Sequence, residues 1–197
     1  MRRLLKAGLA LLAVLNLAAC QKKEPEPEVL MITNKAEIMS VKADMSGYKW
    51  LYDDDPAFSE TTMREAIKMF TEKGSGILYM GYVGCPWCER AVPVLNAAAK
   101  EQNLNILYVN VHDTQINSME DYYALEPYIK EIFDTDKNGE AVFKVPEVIA
   151  IKDGVIVGHH LALVEGYKIE DAESQMNNEQ KEELKQIYLD LFRAAAD

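Results

Sequence analysis

The feature that most restricts the fold is a pair of cysteines between a short apolar run and a helical pattern. The run "ILYMGYV" (77–83) predicts a buried strand, because it is short and rich in β-branched and aromatic residues. Cys85 and Cys88 follow in "GCPWCER", and "ERAVPVLNAAAKEQ" then has helical spacing of its apolar residues. By itself, the Cys-x-x-Cys spacing fits a redox couple, half of a metal site or a structural disulfide.

The N-terminus has the pattern of a secretory signal peptide. A basic start is followed by an apolar run of about 13 residues (7–19), which is shorter than the roughly 20 that a membrane-spanning helix needs. The run ends in Leu17-Ala18-Ala19-Cys20, which resembles the lipobox of bacterial lipoproteins. That resemblance implies a diacylglyceryl group on Cys20, which would anchor the protein to a membrane without spanning it. The alternative is an ordinary signal peptide with a chance cysteine at its end.

The chain is expected to contain a signal peptide (1–19), a lipidated, disordered tether (20–30) and one domain (31–197). The tether is expected because "QKKEPEPE" is polar and rich in Pro and Glu. Cleavage of residues 1–19 lowers the number of basic residues from 21 to 18 against 32 acidic ones, a net charge near −14. Such an acidic domain argues against a nucleic-acid partner, because phosphate contacts need Lys and Arg.

The cysteine count favours the redox interpretation. With Cys20 assigned to the lipid, only Cys85 and Cys88 remain. A closed zinc site needs four Cys or His ligands, and here it would require the distant His159 and His160. A disulfide across two intervening residues closes almost no loop, so it would add little stability through chain entropy. Neither a metal nor a cofactor is therefore expected, although the zinc alternative stays open.

The rest of the chain alternates between strand and helix patterns, which indicates an α/β fold with a mixed sheet. A second buried strand is predicted at 105–111 and a hairpin at 145–160, with its turn at 152–154. Further short strands are candidates within 28–44 and at 48–52. Helices are predicted up to about Glu72 with Ser59 or Thr61 as cap, at 118–133 with a break or bend at Pro127, and at 177–196 with Asn177 or Asn178 as cap.

These features together resemble the thioredoxin fold over roughly residues 60–195. A buried strand leads directly into Cys-x-x-Cys at a helix start, and a Val-Pro opens the hairpin. Pro93 lies five residues after Cys88, and Gly154 lies eight residues after Pro146, as in thioredoxins. The resemblance implies a thioredoxin-like three-layer α/β/α sandwich with a mixed sheet and a helical insertion before the cis-proline strand. Within this fold, "YMGYVGCPWCERAVPVL" is most similar to the bacteriocin transport accessory proteins.

The position of the cysteines suggests their roles. Cys85 at a helix N-terminus would have a stabilised thiolate and act as nucleophile, and the more buried Cys88 would resolve the mixed disulfide. Trp87 is expected either to flank the cysteines as a substrate platform or to serve in packing. The resemblance further implies that Pro146 follows a cis peptide bond and faces the cysteines, and that Val145 offers its backbone to an extended substrate.

The chain also departs from the thioredoxin pattern. Thioredoxins have a buried acid six residues before the first cysteine, which moves a proton to or from the second one, and here that position is Tyr79. Gly84 replaces the tryptophan before the first cysteine, and Glu89 is expected to face solvent. The direction of electron flow therefore stays open.

These observations predict a membrane-tethered, extracytoplasmic thiol–disulfide oxidoreductase that acts through the Cys85–Cys88 pair. Its expected partners are protein or peptide thiols and disulfides, together with an unidentified electron donor or acceptor. Lipidated Cys20 would hold it at the outer face of the cell membrane. The alternative is a thioredoxin-fold accessory module that binds a secretion or membrane partner and in which the cysteines are dispensable.

Overall fold

The computed structural model describes residues 29–197, and its centre is a six-stranded mixed sheet. The strand order is β1-β2-β4-β3-β7-β8, and a separate hairpin joins β5 to β6. The strands are β1 (Val41–Lys42), β2 (Phe58–Glu60), β3 (Gly76–Gly81), β4 (Ile106–Asn110), β5 (Asp134–Thr135), β6 (Ala141–Val142), β7 (Glu147–Lys152) and β8 (Val155–Leu161). Strands β2, β4 and β3 are mutually parallel, and β1, β7 and β8 are antiparallel to their neighbours.

Four helices cover the two faces of the sheet. They are α1 (Met63–Thr71), α2 (Pro86–Glu101), α3 (Met119–Ile129) and α4 (Asn178–Ala195), and a 3₁₀ turn (Lys130–Ile132) follows α3. Helices α2 and α4 pack on one face, and α1 and α3 pack on the other. The fold is thus the expected thioredoxin-like α/β/α sandwich, and the predicted insertion holds α3, the 3₁₀ turn and the β5–β6 hairpin.

Each central strand supplies both cores, because successive side chains of a strand point to opposite faces. In β3, Ile77 and Tyr79 lie in the core under α2 and α4, whereas Leu78 and Met80 lie in the core under α1 and α3. These two cores are called the α2/α4 face and the α1/α3 face below. The nearly continuous apolar run of β3 is explained by this burial on both sides.

Local signals begin and end these elements. Side chains of Thr62, Ser118 and Asn177 cap α1, α3 and α4 by accepting a backbone N–H of the first turn. The β7–β8 hairpin turns at Asp153 and Gly154, whose φ angles of 49° and 83° are those of a type I′ turn. The predicted hairpin, and the predicted cap of α4 at Asn177, are confirmed.

Three sequence predictions about elements were wrong or too broad. Residues 48–52 form turns instead of a strand, because Tyr48 points into the core and no strand pairs with this segment. Within the described part of 28–44, only Val41–Lys42 is a strand. Helix α1 is capped by Thr62, since Ser59 belongs to β2 and the Thr61 hydroxyl donates to the carbonyl of Met39.

Pro127 does not divide the helix that contains it. Helix α3 continues to Ile129, two residues beyond the proline, and then tightens into the 3₁₀ turn. A proline this close to the C-terminal end removes one hydrogen bond from the last turn, and the helix therefore ends early instead of breaking in the middle.

The predicted signal peptide, Cys20 and nearly all of the predicted tether lie outside the described residues. Leu30 is packed against the α2/α4 face, and its N–H donates to the side-chain oxygen of Gln102 at 3.4 Å. Within residues 29–197, no helix combines the length and the apolar character needed to cross a membrane.

Candidate active site

Cys85 and Cys88 lie where β3 leads into α2, at the start of the helix. Cys85 is the N-cap residue, and its Sγ accepts the backbone N–H of Cys88 at 3.2 Å. Both cysteines are free thiols, with Cys85 exposed by 3% and Cys88 fully buried. The helix start therefore directs its unpaired N–H groups toward the sulfur of Cys85.

The two thiols differ strongly in acidity. A hydrogen bond from the Cys88 thiol, together with the backbone N–H groups of Cys88 and Trp87, lowers the pKa of Cys85 to about 7 against the opposing effect of burial. Burial is the main reason that the pKa of Cys88 lies far above its usual value, and the nearby Cys85 raises it further. At neutral pH, a large fraction of Cys85 is therefore thiolate, whereas Cys88 stays a neutral thiol.

The loop before Cys85 is held by a carboxylate that the sequence analysis assigned to solvent. Glu89 is buried, and it accepts the backbone N–H of Gly84 at 2.7 Å and that of Lys49. Gly84 adopts a φ of +89°, which a side chain would strain. The prediction that Glu89 faces solvent is wrong, because the 47–50 turn packs over it and supplies a second donor.

The predicted substrate-contact residues surround the cysteines. Trp87, in the first turn of α2, has an exposed fraction of 36%. The Val145–Pro146 peptide bond is cis, as expected, and Val145 packs against the core that contains both cysteines. Because Met80 pairs with Glu147 across antiparallel strands, Pro146 lies beside the end of β3 from which the cysteine loop starts. The structure therefore places Trp87, Val145 and Pro146 at one end of the sheet with the cysteines.

Three tyrosines occupy the region under Cys88 where thioredoxins have a buried acid. Tyr48 Oη lies 3.3 Å from Tyr79 Oη and 3.2 Å from Tyr108 Oη. The Tyr79 hydroxyl also hydrogen-bonds the Cys88 thiol, which opposes the upward shift of the Cys88 pKa. Burial raises the pKa of all three phenols above 10, so they are neutral at physiological pH. They form an uninterrupted series of hydroxyl groups that begins at the buried thiol.

A buried acid is present elsewhere, on the α1/α3 face directly after the cis-proline. Glu147 has an exposed fraction of 1%, and burial raises its pKa to about 8. Its Oε1 lies 2.9 Å from Nδ1 of His159, whose own pKa burial lowers. At pH 7 burial therefore keeps most of Glu147 protonated, and a neutral carboxyl can donate to the imidazole nitrogen.

A pocket lies on the side of the insertion, next to the residues that follow β4. It has a volume of about 570 Å³ and is lined mainly by side chains after β4 and from α3: Val111, His112, Met119, Tyr122 and Phe143 among others. The His112 ring stacks on Tyr82, with ring centroids 3.6 Å apart. Since Tyr82 precedes Cys85 by three residues, this stack joins the pocket to the cysteine loop.

The histidines of the possible zinc site do not come together. His159 and His160 point to opposite faces of β8, one toward Glu147 and the other toward Tyr188. In the part of the chain that the structure describes, no group of three or more His, Cys, Asp or Glu side chains could hold a metal ion.

Comparison with known proteins adds no assignment. No model of a protein family matches the chain, and no curated protein matches it.

The sequence analysis missed the tyrosine series and Glu147, although signals for both were available. Strands β3 and β4 each contain Ile-Leu-Tyr, and parallel pairing places Tyr79 directly beside Tyr108. Glu147 is the one charged residue in the apolar run "VPEVIAI", in which a buried strand would leave no solvated position for it. Tyr48 gave no such signal, because its burial depends on the turn that contains it.

Proposed function

We propose that this protein is a thiol–disulfide oxidoreductase that exchanges disulfides with proteins or peptides through Cys85 and Cys88. The observation that carries the proposal is the asymmetry of the pair. Cys85 caps the helix and has a pKa of about 7, whereas Cys88 is buried and its pKa is raised. A nucleophile needs thiolate at working pH, and a resolving thiol needs protection from solvent disulfides until the mixed disulfide forms.

The reaction follows in two exchanges. The Cys85 thiolate attacks one sulfur of a substrate disulfide, and the other sulfur leaves as a thiolate. Cys88 then loses its proton and attacks the Cys85 sulfur, which releases the second substrate sulfur as a thiolate and leaves a Cys85–Cys88 disulfide. The substrate gains two electrons, and the protein pair loses two. The reverse sequence donates a disulfide to a substrate dithiol.

The surroundings of the cysteines suit an extended polypeptide substrate. Trp87 offers an apolar surface beside Cys85, and Val145 lies ahead of the first residue of β7, where its backbone can pair with an added strand. The pocket behind His112 and Tyr82 would receive an apolar side chain of the same substrate. The net negative charge argues against nucleic-acid substrates.

The proposed location is the outer face of a cell membrane, through a lipid on Cys20. This rests on the apolar run that ends at Cys20 and on the polar segment that follows it. An oxidising compartment would require an electron donor to keep the pair reduced, or an electron acceptor to keep it oxidised.

Single cysteine variants test the exchange reaction. Against a protein disulfide with a thiol reductant present, Cys85→Ser should lower turnover by about 10³-fold or more, because it removes the nucleophile. Cys88→Ser should instead accumulate a mixed disulfide at Cys85, detected as an added mass. Turnover by Cys85→Ser equal to that of the unsubstituted protein would contradict the proposal.

The measured reduction potential would then assign the direction. A value near that of thioredoxin, about −270 mV, indicates a reductase, and one near about −120 mV indicates a disulfide donor.

The pocket beside the site supports a second candidate, a binding module for a secretion or membrane partner. Several apolar side chains near the pocket and the loop are exposed, among them Val83, Met119 and Tyr123. This candidate predicts that Cys85→Ser retains the biological function, whereas Met119→Asp or Tyr123→Asp removes it. The oxidoreductase proposal predicts that Cys85→Ser is the more damaging change.

A further inference from the structure

The resolving step of the proposed reaction requires Cys88 to lose a proton from a site that solvent does not reach. Cys88 is fully buried, and burial favours its neutral thiol. Two buried glutamates, Glu89 and Glu147, are close in sequence to residues of the site, but neither is free to take that proton. Glu89 accepts two backbone N–H groups of the preceding turns, and Glu147 projects from the opposite face of the sheet. The proton needs another path.

The tyrosine series provides continuous hydroxyl contacts from Cys88 to an edge of the sheet. Tyr79 lies on β3 and Tyr108 on β4, with their rings stacked at 5.4 Å, and Tyr48 bridges the two hydroxyls from the 45–51 turns. Gly81 leaves room for the Tyr79 hydroxyl, since a Cβ at position 81 would lie 2.2 Å from Tyr79 Oη. The space around the first hydroxyl thus depends on a glycine two residues further along the same strand.

The hydrogen bonds of the series permit transfer away from Cys88 after the mixed disulfide has formed at Cys85. Tyr48 Oη donates to Tyr108 Oη, so Tyr48 has no further hydrogen to give to Tyr79 and can only accept from it. In the reduced pair the Cys88 thiol donates to Cys85, and the Tyr79 hydroxyl donates to the Cys88 sulfur. Once Cys85 is held in the mixed disulfide, it no longer receives the Cys88 hydrogen, and a Tyr79 hydroxyl that turns to donate to Tyr48 presents a lone pair to that hydrogen. In that arrangement each hydroxyl accepts from the preceding group and donates to the next.

The outer end of the series lies beside a carboxylate. Tyr108 pairs in register with Glu60 of β2, and the side chains of parallel partners share a face. Glu60 is half-buried, and burial together with the nearby Asp113 and Asp44 raises its pKa, which makes it a better proton acceptor than an exposed carboxylate. Glu60 and Asp113 are the acidic groups close to Tyr108.

We propose that Tyr79, Tyr48 and Tyr108 relay the proton of Cys88 to Glu60 during resolution, in place of a buried acid. This inference rests on the proposed oxidoreductase function. The Cys88 proton passes to Tyr79 Oη as the Tyr79 proton passes to Tyr48, that of Tyr48 to Tyr108, and that of Tyr108 to the Glu60 carboxylate. The Cys88 thiolate then forms the bond to the Cys85 sulfur, and the substrate sulfur leaves as a thiolate. No tyrosinate needs to accumulate, because each hydroxyl gains one proton as it gives up another.

The alternative is that the three tyrosines only fill the core. The rings of Tyr79 and Tyr108 do pack edge-to-face against Phe58, and the ring of Tyr48 packs edge-to-face against Tyr108. These contacts contribute stability whatever the hydroxyls do. The two roles are separated by Tyr→Phe changes, since these keep the ring and remove only the hydroxyl.

The test measures the resolving step directly. The full chain, with Cys20 replaced by Ala so that Cys85 and Cys88 are its only thiols, is reduced and mixed with 5,5′-dithiobis(2-nitrobenzoate). Attack by Cys85 releases one coloured thiolate in a first phase, and resolution by Cys88 releases a second one in a slower phase. The first phase reports on the nucleophile, and the second reports on the deprotonation and attack of Cys88.

We expect Tyr79→Phe to slow the second phase by about a hundredfold, which is the lower end of the effect of a general base. The first phase should stay within about twofold of its rate in the unsubstituted protein. Tyr48→Phe and Tyr108→Phe should slow the second phase by smaller factors. In these variants the rate should become proportional to hydroxide concentration, because hydroxide replaces the relay. A role in packing alone would not produce that pH dependence.

Tyr188→Phe is the matched control. Tyr188 is a fully buried tyrosine on the same face of the sheet, but its hydroxyl has no hydrogen-bond partner within the described structure. Its loss should change neither phase by more than about twofold. Glu60→Gln should slow the second phase without touching the series itself, and an unchanged rate would reject Glu60 as the acceptor.

The outcomes separate the two proposals. If the unsubstituted protein gives no second phase, the oxidoreductase proposal fails. If the second phase is present but equally fast in Tyr79→Phe, the relay is rejected and the oxidoreductase function stands.

Discussion

The two faces of the sheet bury polar groups in different ways. On the α2/α4 face, two thiols and three phenols lie within one connected series, and Tyr79 contacts both Cys88 and Tyr48. On the α1/α3 face, the core consists mainly of Met, Leu and Ile, and Glu147 is paired with His159 at its edge. Both faces hold ionisable groups away from water, but only the first connects them to a cysteine.

This difference shows what burial does to each kind of group. A carboxyl buried beside one imidazole remains protonated near neutral pH, as the raised pKa of Glu147 indicates. A thiol at a helix start, receiving three hydrogen bonds, becomes more acidic although it is almost equally buried. The direction of a pKa shift is therefore decided by the number of donors that face the group, and not by burial alone.

The largest expected contrast is in the reactivity of the two cysteines toward an alkylating agent. The rate at Cys85 should rise about tenfold per pH unit below pH 7 and level off above it, because its pKa is about 7. Cys88 should stay unmodified until the protein unfolds. Peptide mapping after timed iodoacetamide treatment measures both. Cys88→Ala should move the midpoint for Cys85 upward, because the thiol of Cys88 provides the main stabilising hydrogen bond. An unmoved midpoint would contradict that assignment.

The next contrast concerns stability and tests the α1/α3 face. Folded Glu147 keeps its proton up to about pH 8, whereas the unfolded chain loses it near its usual pKa of 4.5. Its contribution to the free energy of unfolding is therefore full below pH 4.5 and is lost as the pH rises to about 8. The loss between pH 6 and pH 8 is about 2–3 kcal/mol. The lowered pKa of Cys85 has the opposite effect, because it adds to the free energy of unfolding as the pH rises above about 7.

Comparison of Glu147→Gln with the unsubstituted protein isolates the first of these trends. The amide matches the neutral carboxyl in shape and can still donate to Nδ1 of His159. Urea unfolding at pH 6 and pH 9 should give similar stabilities for the two proteins at pH 6, and a more stable variant at pH 9. A difference that does not change with pH would mean that Glu147 is not titrating as a buried acid.

The smallest expected effect tests the packing around the tyrosine series. Gly81→Ala should cost about 1–3 kcal/mol, because its Cβ would lie 2.2 Å from Tyr79 Oη and the hydroxyl would have to move. Gly76→Ala, in the same strand, is the control, since its nearest neighbour is the flexible end of Met69 at 3.2 Å. Thermal or urea unfolding compares the two. If Gly76→Ala costs as much as Gly81→Ala, crowding of Tyr79 is not the cause.

Much of the fold could be predicted because its signals are local. The strand before Cys85, the helix after it and the β7–β8 hairpin each follow from a few adjacent residues, namely an apolar run, helical spacing and the Asp153-Gly154 turn. The prediction for 48–52 failed because its apolar and aromatic residues match a strand pattern, yet the segment turns to bury Tyr48 and pairs with no strand.

The candidate site divides in the same way. Cys85 at a helix start could be placed from the sequence, since Pro86 and the spacing of the next apolar residues mark the first turn. The environments of Glu89 and Tyr48 could not be predicted, because Lys49, Tyr79 and Tyr108, which contact them, lie 31 to 60 residues away in the chain. Such distant contacts leave no periodic trace in a sequence.

The sequence by itself determined the order of the elements, the position of Cys85 and Cys88 between strand and helix, and the acidic character of the chain. Tertiary structure alone decided which polar side chains are buried and which groups they bind in place of water. Glu89 binds the cysteine loop, Glu147 contacts His159, and Tyr48 contacts the tyrosines of two strands. The physical reason is that secondary structure and charge depend on neighbouring residues, whereas burial and the pKa values that follow from it depend on what the whole chain packs against them.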